Sequence, residues 1–337
     1  MYCGDETGAF VGDVGYSTCK FGYGGEDLPK VVIPSMAGHL DNSLNVVNSG
    51  LPRHRPNLEL KYVHQRPNYD DPNLGSLGQE YLEMDGIISN WDVWEACWNK
   101  AMTDLRVRDR QKWTLPSVIP PNDILEQCPH PICAVQPGYT HNSAPRQVEH
   151  IVERLFELYG APAVFVVPSP AVSAFSVGRP TSLVVDVGGA GCRVTPVFDG
   201  LLMNTAQRRS GRGGEWLSDQ QYHILTDLCG RTLHPRHAIG SFSFGSRLKT
   251  VKYPPDTTRS YHWCAMHDLM LELKTGPHIS LDDHDDDYED MYSDAGRHLY
   301  ELPDGTTVNL KAQPRLKTLP VSQMLSLLFS IHLFFNH

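Results

Sequence analysis

Two short stretches, far apart in the chain, share one pattern of acid, small-residue turn and base. Leu183 to Gly200 reads LVVDVGGAGCRVTPVFDG. It opens on an apolar β-branched run, Leu183-Val184-Val185, that predicts a buried strand. It reaches Asp186, turns through Gly188-Gly189-Ala190-Gly191, and resumes as a second apolar strand, Val194 to Phe198. Asp199-Gly200 then carries the signal of a tight hairpin turn. Phe10 to Gly25 reads FVGDVGYSTCKFGYGG, where Asp13-Val14-Gly15 repeats Asp186-Val187-Gly188 and Lys20 follows at the spacing of Arg193. One such segment is ordinary β-hairpin. Two copies predict two similar half-domains that face each other and clamp a ligand between their turns. The ligand this chemistry suits is a metal–phosphate group. Glycine lets backbone N–H groups approach phosphate oxygens, and a carboxylate at the strand end orders the waters around Mg²⁺.

Several blocks in order give these hairpins a family context. Residues 10–35, down to GEDLPKVVIPS at Gly25 to Ser35, resemble the first phosphate loop of the actin family and the strands around it. GIISNWDVWEACW at Gly86 to Trp98 resembles a helix start of that family, and AVFVVPSPAVSAFSVGRPTSLVVDVG at Ala163 to Gly188 resembles its crossover into the second half. YELPDGTTVNL at Tyr300 to Leu310 resembles a further hairpin, and the match stops near Pro320. The divergence between blocks, and the turn Gly15 to Thr18, are most similar to the nuclear actin-related proteins of chromatin-remodelling and histone-acetyltransferase complexes.

The resemblance implies an actin-like α/β fold, two similar halves around a nucleotide cleft. The expected division is 1–180 for the first half, with an outer insert at about 37–84, then 181–320 for an incomplete second half and 321–337 for an apolar tail. An actin-like chain is expected to run on for roughly a hundred residues more. Within the site, the resemblance gives ATP and Mg²⁺ as ligands. Asp13 and Asp186 would organise the hydrated Mg²⁺; Gly15, Ser17, Thr18, Gly188 and Gly189 would surround phosphates; Lys20 would neutralise their charge. Gly214 belongs to a glycine turn entering the second outer subdomain. Ser169 falls where the family positions its attacking water with a glutamine. Serine is shorter and has no amide, and Gly189-Ala190 replaces the family's Asp-Gly, so poor or absent ATP hydrolysis is expected.

Composition narrows the alternatives. A length of 337 residues allows two domains or one large α/β unit split by a cleft. A net charge of −10 argues against a dominant nucleic-acid surface. The eight cysteines form no CxxC or regular framework, which predicts reduced core thiols, Cys3, Cys19 and Cys192 among them. No signal peptide is expected ahead of the first strand. The apolar stretch Met324 to Phe335 is shorter than the ~20 residues of a membrane-spanning helix.

Elsewhere, Ala37 to Gly78 is polar and poorly periodic. Asn90 is placed to cap a helix whose buried face is Trp94, Cys97, Trp98, Ala101 and Leu105. Lys112 to Pro137 is proline-rich and reads as an extended loop. Ala144 to Tyr159 reads as a helix capped by Ser143, with a stripe of Val148, Ile151, Val152, Leu155 and Phe156. Ala163 to Val167 reads as a buried strand. Arg208 to Arg212 reads as a basic turn, His234 and His237 as surface residues, and the acidic run 282–294 as a solvated loop. The expected role is a structural subunit, partnered by actin and a helical scaffold segment in the nucleus, without sequence-specific nucleic-acid or membrane binding. Two other readings stay open on these residues: a polymerising cytoskeletal ATPase, which Ser169 and the altered 37–78 region count against, and a non-functional fragment.

Overall fold

The computed structural model describes residues 8–41, 43–47, 50–66, 86–105, 128–137, 146–230, 232–242, 249–275 and 299–309. The chain divides into two units, one of residues 1–52 with 60–214, the other of 53–59 with 215–337. The position 180/181 lies inside the first unit.

The first unit contains, in order, β1 (Phe10–Val14), β2 (Thr18–Tyr23), β3 (Val31–Pro34), β4 (Met36–Leu40), β5 (Ser43–Val46), most of β6 (Glu59–Tyr62), α1 (Trp91–Asp104), β7 (Ile132–Gln136), α2 (Gln147–Glu157), β8 (Val164–Pro168), α3 (Ser169–Ser176), β9 (Ser182–Val187), β10 (Cys192–Phe198), β11 (Leu201–Leu202) and β12 (Arg208–Ser210). Its main sheet has the order β3-β2-β1-β7-β8. The hairpin pairs are antiparallel, whereas β1–β7 and β7–β8 are parallel. A second sheet has β10 at its centre, with β9 on one side and β11 and β12 on the other.

Alternation along β1, β7 and β8 sorts their side chains onto two faces. Phe10, Ile132 and Ala134 join Phe21, Trp94, Trp98, Ile151 and Leu155 in a core under α1 and α2. Val135 and Val167 pack with Ala171 of α3 on the other face. Phe21 and Trp98 meet edge-on at 5.2 Å and Phe10 and Trp98 at 5.8 Å. Each such contact is worth about 0.5–1.5 kcal/mol beyond area burial. α1 forms as its sequence predicts: the Asn90 side chain accepts from Val93 N, and Trp94, Cys97, Trp98 and Ala101 are buried. Of the expected core thiols, Cys19 and Cys192 are buried and free.

Several expectations need correction. The run Leu183-Val184-Val185 is a strand but not a buried one: among the described residues β9 pairs only with β10, and Leu183, Val185 and Val187 are 47%, 46% and 45% exposed. β8 ends the main sheet, so Phe165 stays 63% exposed. The buried stripe of α2 is Gln147, Ile151 and Leu155, with Val148 and Phe156 exposed. Arg146 caps that helix without a side-chain bond, and the expected cap at Ser143 lies outside the described residues. The proline-rich stretch to Pro137 is not all loop, because Ile132–Gln136 is the central parallel strand β7, bracketed by Pro131 and Pro137. Residues 112–127 and the acidic run 282–294 lie outside the described residues. Within 37–66, β4, β5 and β6 form a three-stranded sheet of order β5-β4-β6. Arg208–Ser210 is strand β12 rather than a turn.

The second unit holds α4 (Gly214–Cys229) from Glu215 on, β13 (Ile239–Phe242), β14 (Lys249–Val251), α5 (Arg259–Thr275), β15 (Leu299–Glu301) and β16 (Thr307–Asn309). Its core joins Leu225 of α4 with Met266, Leu269, Met270 and Leu273 of α5 and Tyr300, Leu302 and Val308 of the β15–β16 hairpin. That hairpin fulfils the expectation for Tyr300 onward, Tyr300 pairing with Val308. No helix among the described residues is long and apolar enough to cross a membrane.

Candidate functional site

Both repeated stretches fold as antiparallel hairpins in the same register. In the first, Asp13 stands opposite Lys20; in the second, Asp186 stands opposite Arg193. Each turn closes on itself: Gly15 N–H donates to Thr18 O at 3.1 Å, and Gly188 N–H donates to Gly191 O at 2.8 Å. The second hairpin continues through Asp199 and Gly200, both at positive φ (49° and 78°), into β11. This is the mirror-image turn that an Asp-Gly pair favours.

Neighbouring elements fix the backbone of the first turn. Ser35 Oγ donates to Gly15 O at 2.6 Å and Ser35 N–H to Ser17 O at 3.0 Å. Arg66 Nη2 donates to Tyr16 O at 2.9 Å while its guanidinium lies over the Tyr16 ring. His64 is buried, with Nε2 at 3.2 Å from Val14 O and Nδ1 at 3.1 Å from Ile87 O. The second turn is packed from behind. Gly214 N–H donates to Gly188 O at 2.9 Å, and a Cβ on Gly213 would collide with the backbone of Gly188, Gly189 and Gly191.

The two turns face each other within the first unit. A Cβ at Gly189 would lie 3.3 Å from the Tyr16 ring and 3.4 Å from Ser17 Cβ. Between them is a cavity of about 200 Å³. Drug-sized ligands occupy pockets of about 300–1,000 Å³, so this volume suits a phosphate chain with its metal rather than a whole nucleotide. Asp13, Gly15, Ser17, Thr18, Lys20, Asp186, Gly188 and Gly189 all line it, and so does Ser169, the first residue of α3. Gly214 does not; it supports the second turn from behind.

Sequence reading left His64, Gly86, Pro137 and Arg193 out of this lining. For Arg193 the signal was present, since it stands as far from Asp186 as Lys20 does from Asp13. His64, Gly86 and Pro137 follow or precede other elements and carry no local motif.

The electrostatics fit a hydrated cation. Burial pushes the Asp13 carboxyl above its ordinary value; Lys20 draws it back down and Asp186 adds to the rise. A divalent ion shared by the two carboxylates would relieve both the desolvation and their mutual repulsion. Among the described residues no three His, Cys, Asp or Glu side chains are placed to hold a metal directly. Asp13 and Asp186 are the two carboxylates at this cavity that could hold Mg²⁺ through its waters, the habit of an ion that dehydrates reluctantly.

A family model described as Actin matches residues 4–319. The chain is similar to actin-related protein 4 of Arabidopsis thaliana, 32% identical over 335 residues that cover 93% of this chain and 69% of that protein. It is similar to actin-related protein 4 of Oryza sativa subsp. indica at 30% over 334 residues, with the same shares of 93% and 69%. Actin-related protein 4 of Gibberella zeae is 29% identical over 346 residues, covering 90% of this chain and 67% of that protein.

Proposed function

This chain belongs to the actin family, and from that membership we propose that it is a structural, nucleotide-holding subunit of a nuclear chromatin-remodelling or histone-modifying complex, with little or no ATP hydrolysis. The observation that carries the nucleotide half of this reading is the convergence of Asp13, Lys20, Asp186 and both glycine turns on one cavity. Asp13 and Asp186 would hold Mg²⁺ through water, Lys20 would neutralise the phosphates, and Ser17 and Thr18 would donate hydroxyl hydrogen bonds. Bound Mg²⁺ would supply charge neutralisation between the two carboxylates and the phosphate oxygens.

The structural half rests on Ser169. It opens α3 on the cavity wall, where the actin pattern places a glutamine to orient water. A hydroxyl one carbon from the backbone has neither the reach nor the paired donor and acceptor of that amide. The nuclear assignment is supported by the resemblance to nuclear actin-related proteins and by relatives named actin-related protein 4. The partners this reading assigns are actin and a helical scaffold segment.

Two measurements test it. Purified protein should release no phosphate from Mg–ATP above buffer background, and steady release abolished by Asp186→Ala would overturn the non-catalytic role. Affinity purification of the tagged chain from nuclei should recover actin together with a subunit that binds through a helix. Recovery with actin filaments alone, outside nuclei, would favour the cytoskeletal reading.

A further inference from the structure

We propose that residues 53–59 form an acid-released strap of the second unit, latched by the stacking of His54 on His237. The inference is independent of the nucleotide reading and concerns residues that the proposed function does not use. The strap belongs to the second unit although the chain before it, through Pro52, and after it, from Leu60, belongs to the first. It is held along the segment that leads into α5. His54 Nε2 lies 2.9 Å from Thr257 Oγ1, and because that hydroxyl spends its one hydrogen on Pro254 O at 2.8 Å, Nε2 is the donor. Asn57 N–H donates to Asp256 O at 2.8 Å, and Thr258 Oγ1 donates to Leu58 O. The His54 ring then lies on the His237 ring, centroids 5.8 Å and planes 3° apart, with Tyr261 edge-on to His54 at 5.0 Å.

The latch does not accommodate charge. Both ring nitrogens of His237 are buried, and neither has a hydrogen-bond partner among the described residues. An imidazolium carries two N–H donors, so protonation in this position would leave both without acceptors and out of reach of solvent. The surrounding groups do not relieve this. The chain around His237 supplies His234, bonded to Tyr253, and Arg236, paired with Glu272. The segment after β14 supplies Tyr253, edge-on at 6.2 Å, and α5 supplies Tyr261 at 5.1 Å and His262 at 5.9 Å. The strap supplies His54 between the exposed Arg53 and Arg55. Burial, then charge on His262 and on His54, opposes protonation of His237 and lowers it from 6.5 to about 4. Lifting the strap takes the His54 ring away and lets water reach His237, which then titrates at its ordinary value. Proton uptake accompanies opening, so a falling pH favours the released strap. His262 acts in the same direction, its own value lowered by burial and by His234.

Hydrogen exchange of the full chain, followed by mass spectrometry on peptides that cover Asn57 and Leu58, tests this at about pH 7.5 and about pH 5, on either side of the ordinary histidine value. After correction for the intrinsic exchange rate, opening of the strap should rise about 30-fold between the two, the factor set by a lowering from 6.5 to about 4. The rise should reverse on neutralisation. Strap amides should exchange faster than those of α5 at both pH values, because the strap opens while the unit around it stays folded. His237→Phe keeps a ring to stack on and has no proton to take up, so its strap should open equally at both. Strap protection that does not change with pH in the wild type would overturn the latch, as would strap amides that exchange only together with α5. So would a folded His237→Phe whose strap responds to acid as the wild type does. If His237→Phe does not fold, the two wild-type readouts decide alone.

Discussion

Gly12 shows how tightly single residues are held beside the site. It precedes Asp13 in β1, and a Cβ there would overlap the Trp98 ring. Gly12→Ala is expected to destabilise the first unit by about 1–3 kcal/mol, the usual range for overpacking a filled core, and a lowered urea midpoint at unchanged slope would register it. At the next position the effect should fall on binding instead. On the proposed nucleotide reading, Asp13→Asn and Asp186→Asn would each remove a charge that orders the waters of Mg²⁺, so each should weaken Mg–ATP binding while leaving the fold in place. Because burial already pushes the Asp13 carboxyl up, its charge is lost earlier on acidification than that of an ordinary aspartate, and the proposed metal binding should weaken with it. Equal Mg–ATP affinity in calorimetry for wild type and both variants would mean that the turns serve structure alone.

Among elements, β9 and the neighbouring α3 and β10–β11 turn carry several exposed apolar side chains. Leu183, Val185 and Val187 alternate along β9, and Phe175, Phe198 and Leu201 are 57%, 64% and 74% exposed. β9 also lacks a described partner strand on its outer edge. A long apolar edge strand of this kind templates association between chains. The 337-residue chain expressed alone should therefore associate as its concentration rises. Replacing Leu183 and Val185 by threonine keeps strand propensity and should shift it toward monomer in size-exclusion chromatography, with little change in melting temperature. Concentration-independent monomer for the wild type would show that this face is harmless.

At the scale of the whole chain, the two units carry different sensitivities to acid. In the second unit His237 stacks on His54 at 5.8 Å, meets Tyr261 edge-on at 5.1 Å and lies 5.9 Å from His262, while His234 accepts or donates at 2.9 Å with Tyr253. His237 is thus packed among rings with its ring nitrogens buried, not at the surface as expected from sequence, while His234 stays half-buried with an exposed bond to Tyr253. His54 comes from the segment 53–59, which belongs to this unit and is held by His54 on Thr257 at 2.9 Å and Asn57 N–H on Asp256 O at 2.8 Å. Burial, then His262 and His54, lowers His237 from 6.5 to about 4. The unfolded chain thus takes up this proton first, so stability falls as pH drops from about 6.5 toward 4 and is constant in this group above that window. Calorimetric scans at neutral pH and near pH 5, a value inside that window, should show the second unit losing melting temperature. His237→Phe should reduce that loss, and an acid sensitivity unchanged in the variant would place the cause elsewhere.

Local information by itself determined the hairpins, the capped helix at Asn90 and the residues of both turns, because each depends on neighbours a few positions away. Glycine beside an acid at a strand end and Asp-Gly at positive φ are decided within four residues. The helix α5 was not read from sequence although Tyr261, Ala265, Leu269 and Leu273 recur every four positions and are buried; polar and histidine neighbours masked the stripe. What only the tertiary structure decided is which apolar runs are covered. LVV in β9 and ICAV in β7 are alike in composition, yet β7 lies between two strands under two helices and β9 has a described partner strand on one side only. Burial is a property of what packs against a segment, and a segment does not encode its neighbours. The same reason places His64 on the wall of the cavity and makes Arg193 part of it: separation in sequence sets no bound on proximity once the strands have paired.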